Sequence, residues 1–540
     1  MKFFDLGFLK KNDDKTLYRL SFLALLLYVV SIFYNLHVSP LYSEEPRRAL
    51  VALEMLLNNN FVITTILGET FYDHPPLWNI VLAGSMKIFG YNSFALRFPS
   101  AFSLLLTGII TYFMGREYIG RKYGILSALY YLICADLYFY FSITAEIDIF
   151  YSLLVILSIF SIFHFYEKKQ FYLLFGCSYF FITLAFLTKG FASFAFIIIT
   201  LAVYFYSKKD FKRFFSFPHI LFGLLSAGTV GLYFFVYGQY ENLSAYISEM
   251  WGLTSQRTLL SDKFGGLIKH IFFFPLNFLA VLFPATLFLL FLWKKESIKK
   301  VKSQPYLVFL VIVFFANFLV YWISPGARIR YTYMFFPMVI SVLAYPLFLQ
   351  LGKVNWKHRT YHMFFQILMM TFALACFVIP FVPYFEVLPQ LKLTMPLFGL
   401  FLLTTFLFHR KTDGFTKHLF VVFFIIICRL AFDHVALPLK AKTSSSAPHK
   451  AYAKKIWELT GDEMPIYVFS QEDVRTHIQV PFRFYETASY LELWRKELVV
   501  KTNQCEWPGY YVFNAANLEG RKPLYSFTIS NIDLALVKVE

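Results

Sequence analysis

Charge is what this sequence has least of. Lys, Arg, Asp and Glu make up 15% of its 540 residues, against about 25% in an ordinary soluble domain, which excludes a soluble protein of normal composition. Cysteine is scarce too. Cys134, Cys177, Cys376 and Cys428 lie in apolar runs and Cys505 in a polar tail, so there is no disulfide framework or zinc-knuckle spacing. No internal repeat is evident. The first apolar run, Leu17 to Leu36, is too long for a signal-peptide core and is followed by no small-residue cleavage pattern, so it is expected to stay as the first helix. Acidic residues number 33 against 50 Lys plus Arg, a net charge of +17. The basic residues cluster in alternate loops, as membrane orientation produces, which argues against a nucleic-acid partner.

What is abundant is apolar and aromatic: 58% hydrophobic residues, with 69 Phe and 37 Tyr. Apolar runs of roughly 17 to 25 residues, each able to cross about 30 Å of hydrocarbon, recur about thirteen times. They fall at 17–36, 94–114, 122–141, 147–166, 171–188, 190–206, 217–238, 270–292, 304–323, 331–349, 360–380, 394–408 and 416–432. The fold class is therefore a polytopic α-helical membrane protein. The pairs around Thr144 and Lys189 could each merge into one helix. Basic clusters occupy the N-terminus, Arg116 to Lys122, Glu167 to Gln170, Lys208 to Arg213, Lys294 to Lys302, Lys353 to Arg359 and Arg410 to Lys417. An even count of spans from a cytoplasmic N-terminus puts all of these in the cytoplasm. The expected location is a bacterial inner membrane.

Three units are expected: a membrane module, 1–432, with an outer loop at 37–93; a linker, 433–448; and an outer α/β domain, 449–540. In the last, β-rich runs at Ile466 to Phe469, Phe482 to Tyr485, Tyr510 to Phe513 and Leu534 to Val539 alternate with helical stretches at Lys450 to Leu459 and Ala488 to Leu498. No catalytic motif stands out there, and a structural or acceptor-binding role is expected.

The longest polar interruption in the membrane module, Ser39 to Tyr91, packs Glu44, Glu45, Arg47, Arg48, Glu54, Asp73 and His74 between two apolar spans. Charges beside a bilayer are costly unless they are solvated, paired or functional. Ser43 could cap a helix with Glu44, Glu45 and Pro46 in its first turn. Leu50, Leu53 and Leu57 then recur at helical spacing, giving an amphipathic helix that could lie along the membrane surface. Arg47, three residues after Glu44, shares its face. A second helix should start after Pro75-Pro76 and run from Leu77 to Phe89. The bland alternative is that the acidic pair only caps a helix and pairs with Arg47 and Arg48.

Further along, Asp148 sits just inside an apolar span, where a carboxylate is a functional candidate. Asp136 reads rather as one half of an interhelical hydrogen bond. Lys189 interrupts another apolar run; it either meets an anion such as a lipid phosphate or snorkels to the surface. Arg328, Arg330 and Tyr331 lie at the outer end of a later span, with guanidinium groups suited to phosphate. Arg257 has weaker context. Asp73 and His74, with His270 more distant, are loose candidates for a divalent metal; no other cofactor is indicated.

Taken in order, Glu44-Glu45-x-Arg47, Glu54-Met55, Asp73-His74-Pro75-Pro76-Leu77, Asp148, Leu187-Thr188-Lys189-Gly190 and Ser324 to Tyr331 resemble the aminoarabinose transferase and protein mannosyltransferase group of GT-C glycosyltransferases. The resemblance covers most of residues 15 to 350. It implies about thirteen helices, an outer C-terminal domain and sugar transfer from a polyprenyl phosphate, so that the bilayer, this donor and a lipid or protein acceptor are the partners. By position it implies Glu44 as the catalytic acid-base residue, with Glu45 and Asp148 beside it. Arg47, Lys189, Arg328, Arg330 and Tyr331 then form the donor-phosphate site, with Glu54, Asp73, His74 and Arg257 elsewhere in the substrate site. Two departures are visible: Asp73-His74 stands where the aminoarabinose enzymes have Glu-Lys, and Pro46-Arg47-Arg48 where the family has x-Arg-Tyr.

Such a transfer needs a carboxylate to take the acceptor proton and cations to stabilise the departing phosphate, with inversion at the sugar carbon. The expected function is an inner-membrane glycosyltransferase modifying a lipid such as lipid A on the outer face. A protein O-glycosyltransferase is the nearest alternative. A transporter or flippase for lipid-linked sugars is less favoured, because transporters carry internal repeats and midplane charges.

Overall fold

A computed structural model describes residues 14–255, 264–353, 355–470, 480–518, 520–529 and 531–540. The membrane part opens with α1 (Asp14–Phe33), followed by loop helices α2 (Glu45–Leu57) and α3 (Leu77–Phe89). Then come α4 (Ser93–Tyr118), α5 (Arg121–Leu132), α6 (Ile147–Glu167), α7 (Phe171–Lys189), α8 (Ala192–Ser207) and α9 (Phe217–Tyr237). Next are α10 (Leu243–Ser255), α11 (Phe264–Val281), α12 (Leu289–Leu292), α13 (Lys295–Lys302), α14 (Pro305–Trp322) and α15 (Phe336–Phe348). The module ends with α16 (Trp356–Val378), α17 (Leu391–Lys411) and α18 (Gly414–Thr443), and the C-terminal domain carries α19 (Ala447–Thr460) and α20 (Val480–Arg495).

Ten of the described helical segments are long and apolar enough to cross a membrane. The run at 122–141 folds as α5 plus Asp136–Ile143 with a 50° bend. The single span expected at 270–292 is corrected: Gly266–Val281 and Ala285–Leu292 meet at 100°, across Pro284, which has no N–H to continue a helical ladder. The 190–206 run is a helix of only 16 residues, α8. It does not merge with α7, because Gly190 at φ +86° ends that helix directly after Lys189.

Between α1 and α4 the polar loop folds as α2, a short hairpin of β1 (Thr65–Ile66) and β2 (Glu69–Thr70), and α3. The helix expected from Leu77 to Phe89 forms over those residues. Two details differ from expectation. Ser43 does not cap α2 but takes φ +60°, and Glu44 holds the N-cap position. Nor does α2 lie on a membrane surface: Ala49 through Leu53 and Met55 are all buried, because the C-terminal domain covers the side that a bilayer would have taken.

That domain is a five-stranded mixed sheet in the order β4 (Val499–Thr502), β3 (Ile466–Phe469), β5 (Gly509–Asn514), β7 (Ile532–Val539), β6 (Tyr525–Ile529). β3 runs parallel to both neighbours, while β7 is antiparallel to β5 and β6. The β-run expected at 482–485 lies instead within α20, where buried Phe484, Tyr485, Ala488 and Leu491 follow the helical period. Much of the expected linker is also helical, since α18 continues to Thr443 and holds the buried Arg429–Asp433 pair at 2.8 Å.

The domain docks on the hairpin of the loop. Lys501 Nζ pairs with Glu69 at 2.8 Å and the Lys501 N–H donates to the Leu67 carbonyl at 2.8 Å. Gly68, at φ +76°, lets Val500 approach so closely that a Cβ would meet its methyl at 3.2 Å. Apolar residues of α2, α3, α20 and the sheet form one shared core, separate from that of the helical bundle.

Candidate active site

The first turn of α2 sends its charges two ways. Glu45 is swallowed by the fold: both its oxygens meet Arg97 at 2.8 Å, and Oε1 also accepts the Ala145 N–H at 2.8 Å. Arg97 spends its remaining donors on the carbonyls of Leu36, Ser39 and Pro40. Glu45 is thus no catalytic group; its carboxylate is saturated and pins the loop to α4. Glu54 is likewise corrected from substrate site to framework, because it accepts the N–H groups of Leu67 and Gly68 at 2.5 and 3.3 Å and so fixes the hairpin.

Glu44, Arg47, Arg48 and Asp73 gather on the other side. Glu44 pairs with Arg47 on its own helix face. Arg48 donates to Asp73 at 2.8 Å, Arg47 lies 3.8 Å from the same oxygen, and His74 Nε2 lies 3.8 Å from the other. Burial pushes the Asp73 carboxyl up, but His74, Arg48 and Arg47 outweigh it and hold the group well below the usual carboxylate range.

A second group meets the first from far along the chain. Lys189, the last residue of α7, pairs with Asp148 in the first turn of α6 and sits over the Tyr331 ring, 4.3 Å from its centroid. Lys189 therefore does not snorkel. Arg330 reaches Glu146 at 3.4 Å and Asp148 at 3.5 Å. Burial and then the Asp148 charge push Glu146 up to about 7, against the pull of Arg330 and Arg48; Glu44 pushes it the same way. The two clusters thus feel one another.

Within this assembly the Nε atoms of Arg47, Arg48 and Arg330 are buried with no hydrogen-bond partner among the described residues. Buried donors without acceptors are costly; the Nε atoms of Arg47 and Arg48 stand so, while that of Arg330 has only the Asp148 carboxylate, at 3.5 Å. Beside this assembly, α7 and α9 enclose an apolar groove of about 650 Å³, continued toward Pro76 and Leu77 by one of about 300 Å³ that shares Leu187 and Thr229.

The other expected residues fare differently. Arg328 is exposed. Arg257 lies outside the described residues. Asp136 accepts from Tyr333 at 2.5 Å, an interhelical hydrogen bond as expected. The loose metal trio does not assemble: His270 bonds the Tyr321 carbonyl at 3.1 Å and stacks on Phe274, and Asp73 is taken by arginines. Glu146, Arg48 and Arg97 were not singled out as site or anchor residues by sequence. Arg97 had a readable signal, being a charge one turn inside an apolar span.

Comparison with known proteins bears on the same region. The family described as dolichyl-phosphate-mannose-protein mannosyltransferase matches residues 73–236. A protein of Aquifex aeolicus is 26% identical over 232 residues, 42% of this chain and 46% of that one. An undecaprenyl phosphate-alpha-4-amino-4-deoxy-L-arabinose arabinosyl transferase of Erwinia tasmaniensis is 30% identical over 122 residues, 22% of each chain. The chain spans less than half the length of the curated relatives it matches. A crystal structure of ArnT from Cupriavidus metallidurans bound to undecaprenyl phosphate superposes with a TM-score of 0.67 at 16% identity, covering 96% of this chain and 97% of that one. The chain shares the fold of that structure over nearly its whole length. With ten described helical segments long and apolar enough to cross a membrane, it is a multi-pass membrane protein.

Proposed function

We propose that the protein is a polyprenyl-phosphate-dependent glycosyltransferase, a reading carried by the Arg47, Arg48 and Arg330 guanidinium groups clustered with Glu44, Glu146, Asp148 and Lys189, the first two with buried Nε donors that have no acceptor among the described residues. The apolar grooves between α7 and α9 lead a prenyl chain to this cluster. The phosphate then lies among Arg47, Arg330 and Lys189, with Arg48 behind them. Glu44, more exposed than its neighbour Glu45, takes the proton of the acceptor hydroxyl. The acceptor oxygen forms its bond to the anomeric carbon from the face opposite the phosphate, the carbon–oxygen bond to phosphate breaks, and the cations hold the charge that leaves with it. Asp148 keeps Lys189 and Arg330 in register.

The acceptor is a lipid such as lipid A on the outer face of a bacterial inner membrane, with the N-terminus in the cytoplasm and the C-terminal domain outside. The match of 73–236 to a protein mannosyltransferase family supports protein hydroxyls as the second reading. Glu44→Gln and Asp148→Asn, assayed in membranes with a radiolabelled polyprenyl-phosphate sugar, test the mechanism; full activity in both would remove it. Mass spectrometry of lipid A and outer-face glycoproteins from a deletion strain separates the two acceptors.

A further inference from the structure

At the opposite end of the bundle, four histidines are gathered from three helices. His358 and His362 are one turn apart on α16, His409 lies in the last turn of α17 and His418 in the first turns of α18. All four are buried. Ile329–Phe348 starts beside Arg330 and crosses to this end, so the cluster is a membrane thickness away from the candidate active site and the sugar-transfer reading has no use for it.

The ring nitrogens are arranged in a consistent way. His418 Nδ1 lies 3.1 Å from the Tyr130 hydroxyl, which in turn lies 2.7 Å from that of Tyr361. The His358 ring is hydrogen-bonded to the Gln350 backbone. These bonds occupy one side of each ring. The Nε2 atoms of His358 and His418 are buried with no hydrogen-bond partner among the described residues. His362 Nδ1 faces His409 Nε2 at 3.1 Å, and Gln366 lies 3.4 Å from the far nitrogen of His409. One ligand nitrogen from each of His358, His362 and His418 falls within 4.8 Å of the others.

We propose that His358, His362 and His418, with His409 as the fourth ligand, form a binding site for a borderline divalent transition metal of the zinc class. The donor set is imidazole nitrogen alone, which suits Zn²⁺ and its neighbours and not the oxygen-seeking Mg²⁺ or Ca²⁺. Ring nitrogens held by Tyr130 and the Gln350 backbone are the outer-shell bonds that fix which nitrogen faces a metal. A zinc–nitrogen bond is about 2.0–2.1 Å, so the rings must close by roughly an ångström, a movement within the reach of side-chain torsions. A cavity of about 630 Å³, lined by His358, His362, Asn355, Gln366, Asp413 and Lys417 among others, gives an ion access from the bundle end. The bound ion would staple α16, α17 and α18 together.

The test uses the full-length protein in detergent, purified through a tag without histidine, stripped with chelator, reloaded with Zn²⁺ or Co²⁺ and analysed by elemental mass spectrometry. Wild type is expected to retain one ion per chain, with tetrahedral Co²⁺ absorption bands, and Asp73→Asn to retain it too. His362→Ala/His418→Ala is expected to lose the ion while remaining monodisperse. Should that double variant not fold, His358→Gln, which keeps a polar side chain of similar length but removes the imidazole ligand, is expected to weaken Zn²⁺ binding at least about tenfold. No stoichiometric ion in wild type, or undiminished binding in the histidine variants, overturns the proposal.

Discussion

Glu44 and Glu45 are neighbours in sequence with opposite fates, and the difference lies in what surrounds them. Glu45 and Arg97 are 1% exposed, and breaking such a pair leaves an uncompensated buried charge at a cost of about 3–5 kcal/mol. Arg97→Met should therefore lower the thermal midpoint sharply, read by thermal unfolding in detergent. Glu44→Gln should leave that midpoint near wild type while turnover falls by about 10²- to 10⁴-fold. Glu146 has its own signature. Its folded pKa, raised to about 7 from 4.5, means that its contribution to stability is fully present at low pH and is lost as pH rises through about 7. Glu146→Gln should flatten this pH slope of the thermal midpoint between pH 5 and 8. It should also remove a tightening of donor affinity below pH 7, because protonating Glu146 releases Arg330.

Among elements, α2 and α20 are the pair that sequence patterning could least foresee. The Leu50, Leu53, Leu57 spacing correctly marked α2 as a helix, but its apolar stripe faces protein from another domain and not lipid. Where they meet, Glu54 of α2 and Glu492 of α20 are both buried and act on each other. Burial lifts the Glu54 carboxyl to about 7 despite its bonds from the 65–68 turn, and burial together with the Glu54 charge lifts Glu492 well above the usual range. Two raised carboxyls destabilise the interface as pH rises through 7. Glu492→Gln is expected to raise the thermal midpoint at pH 8 and to change it little at pH 5, as differential scanning fluorimetry would show; a uniform effect at both would contradict the account.

At the scale of the molecule, the C-terminal domain is a lid on the polar loop, tied to it by Lys501, Glu69 and the Leu67 carbonyl. If the domain stands outside, as proposed, a membrane-impermeant maleimide should label Cys505 in spheroplasts, while Cys134 and Cys376, buried in the bundle, stay unlabelled. Labelling only after membrane disruption would reverse the orientation.

The sequence by itself determined what depends on local chemistry and composition. Apolar runs marked the helices that cross, and the order of Glu44, Arg47, Asp148, Lys189 and Arg330 carried the resemblance; the breaks at Gly190 and Pro284 emerged only in the structure. Only the tertiary structure decided which charges remain for a substrate. That Glu45 is consumed by Arg97, that Glu54 serves a turn, that Arg330 joins Glu146 and Asp148, and that four histidines converge are relations that bring together residues from 13 to 184 positions apart. Nothing in a linear pattern encodes them, because pairing and desolvation depend on which side chains the packed helices bring within a few ångströms.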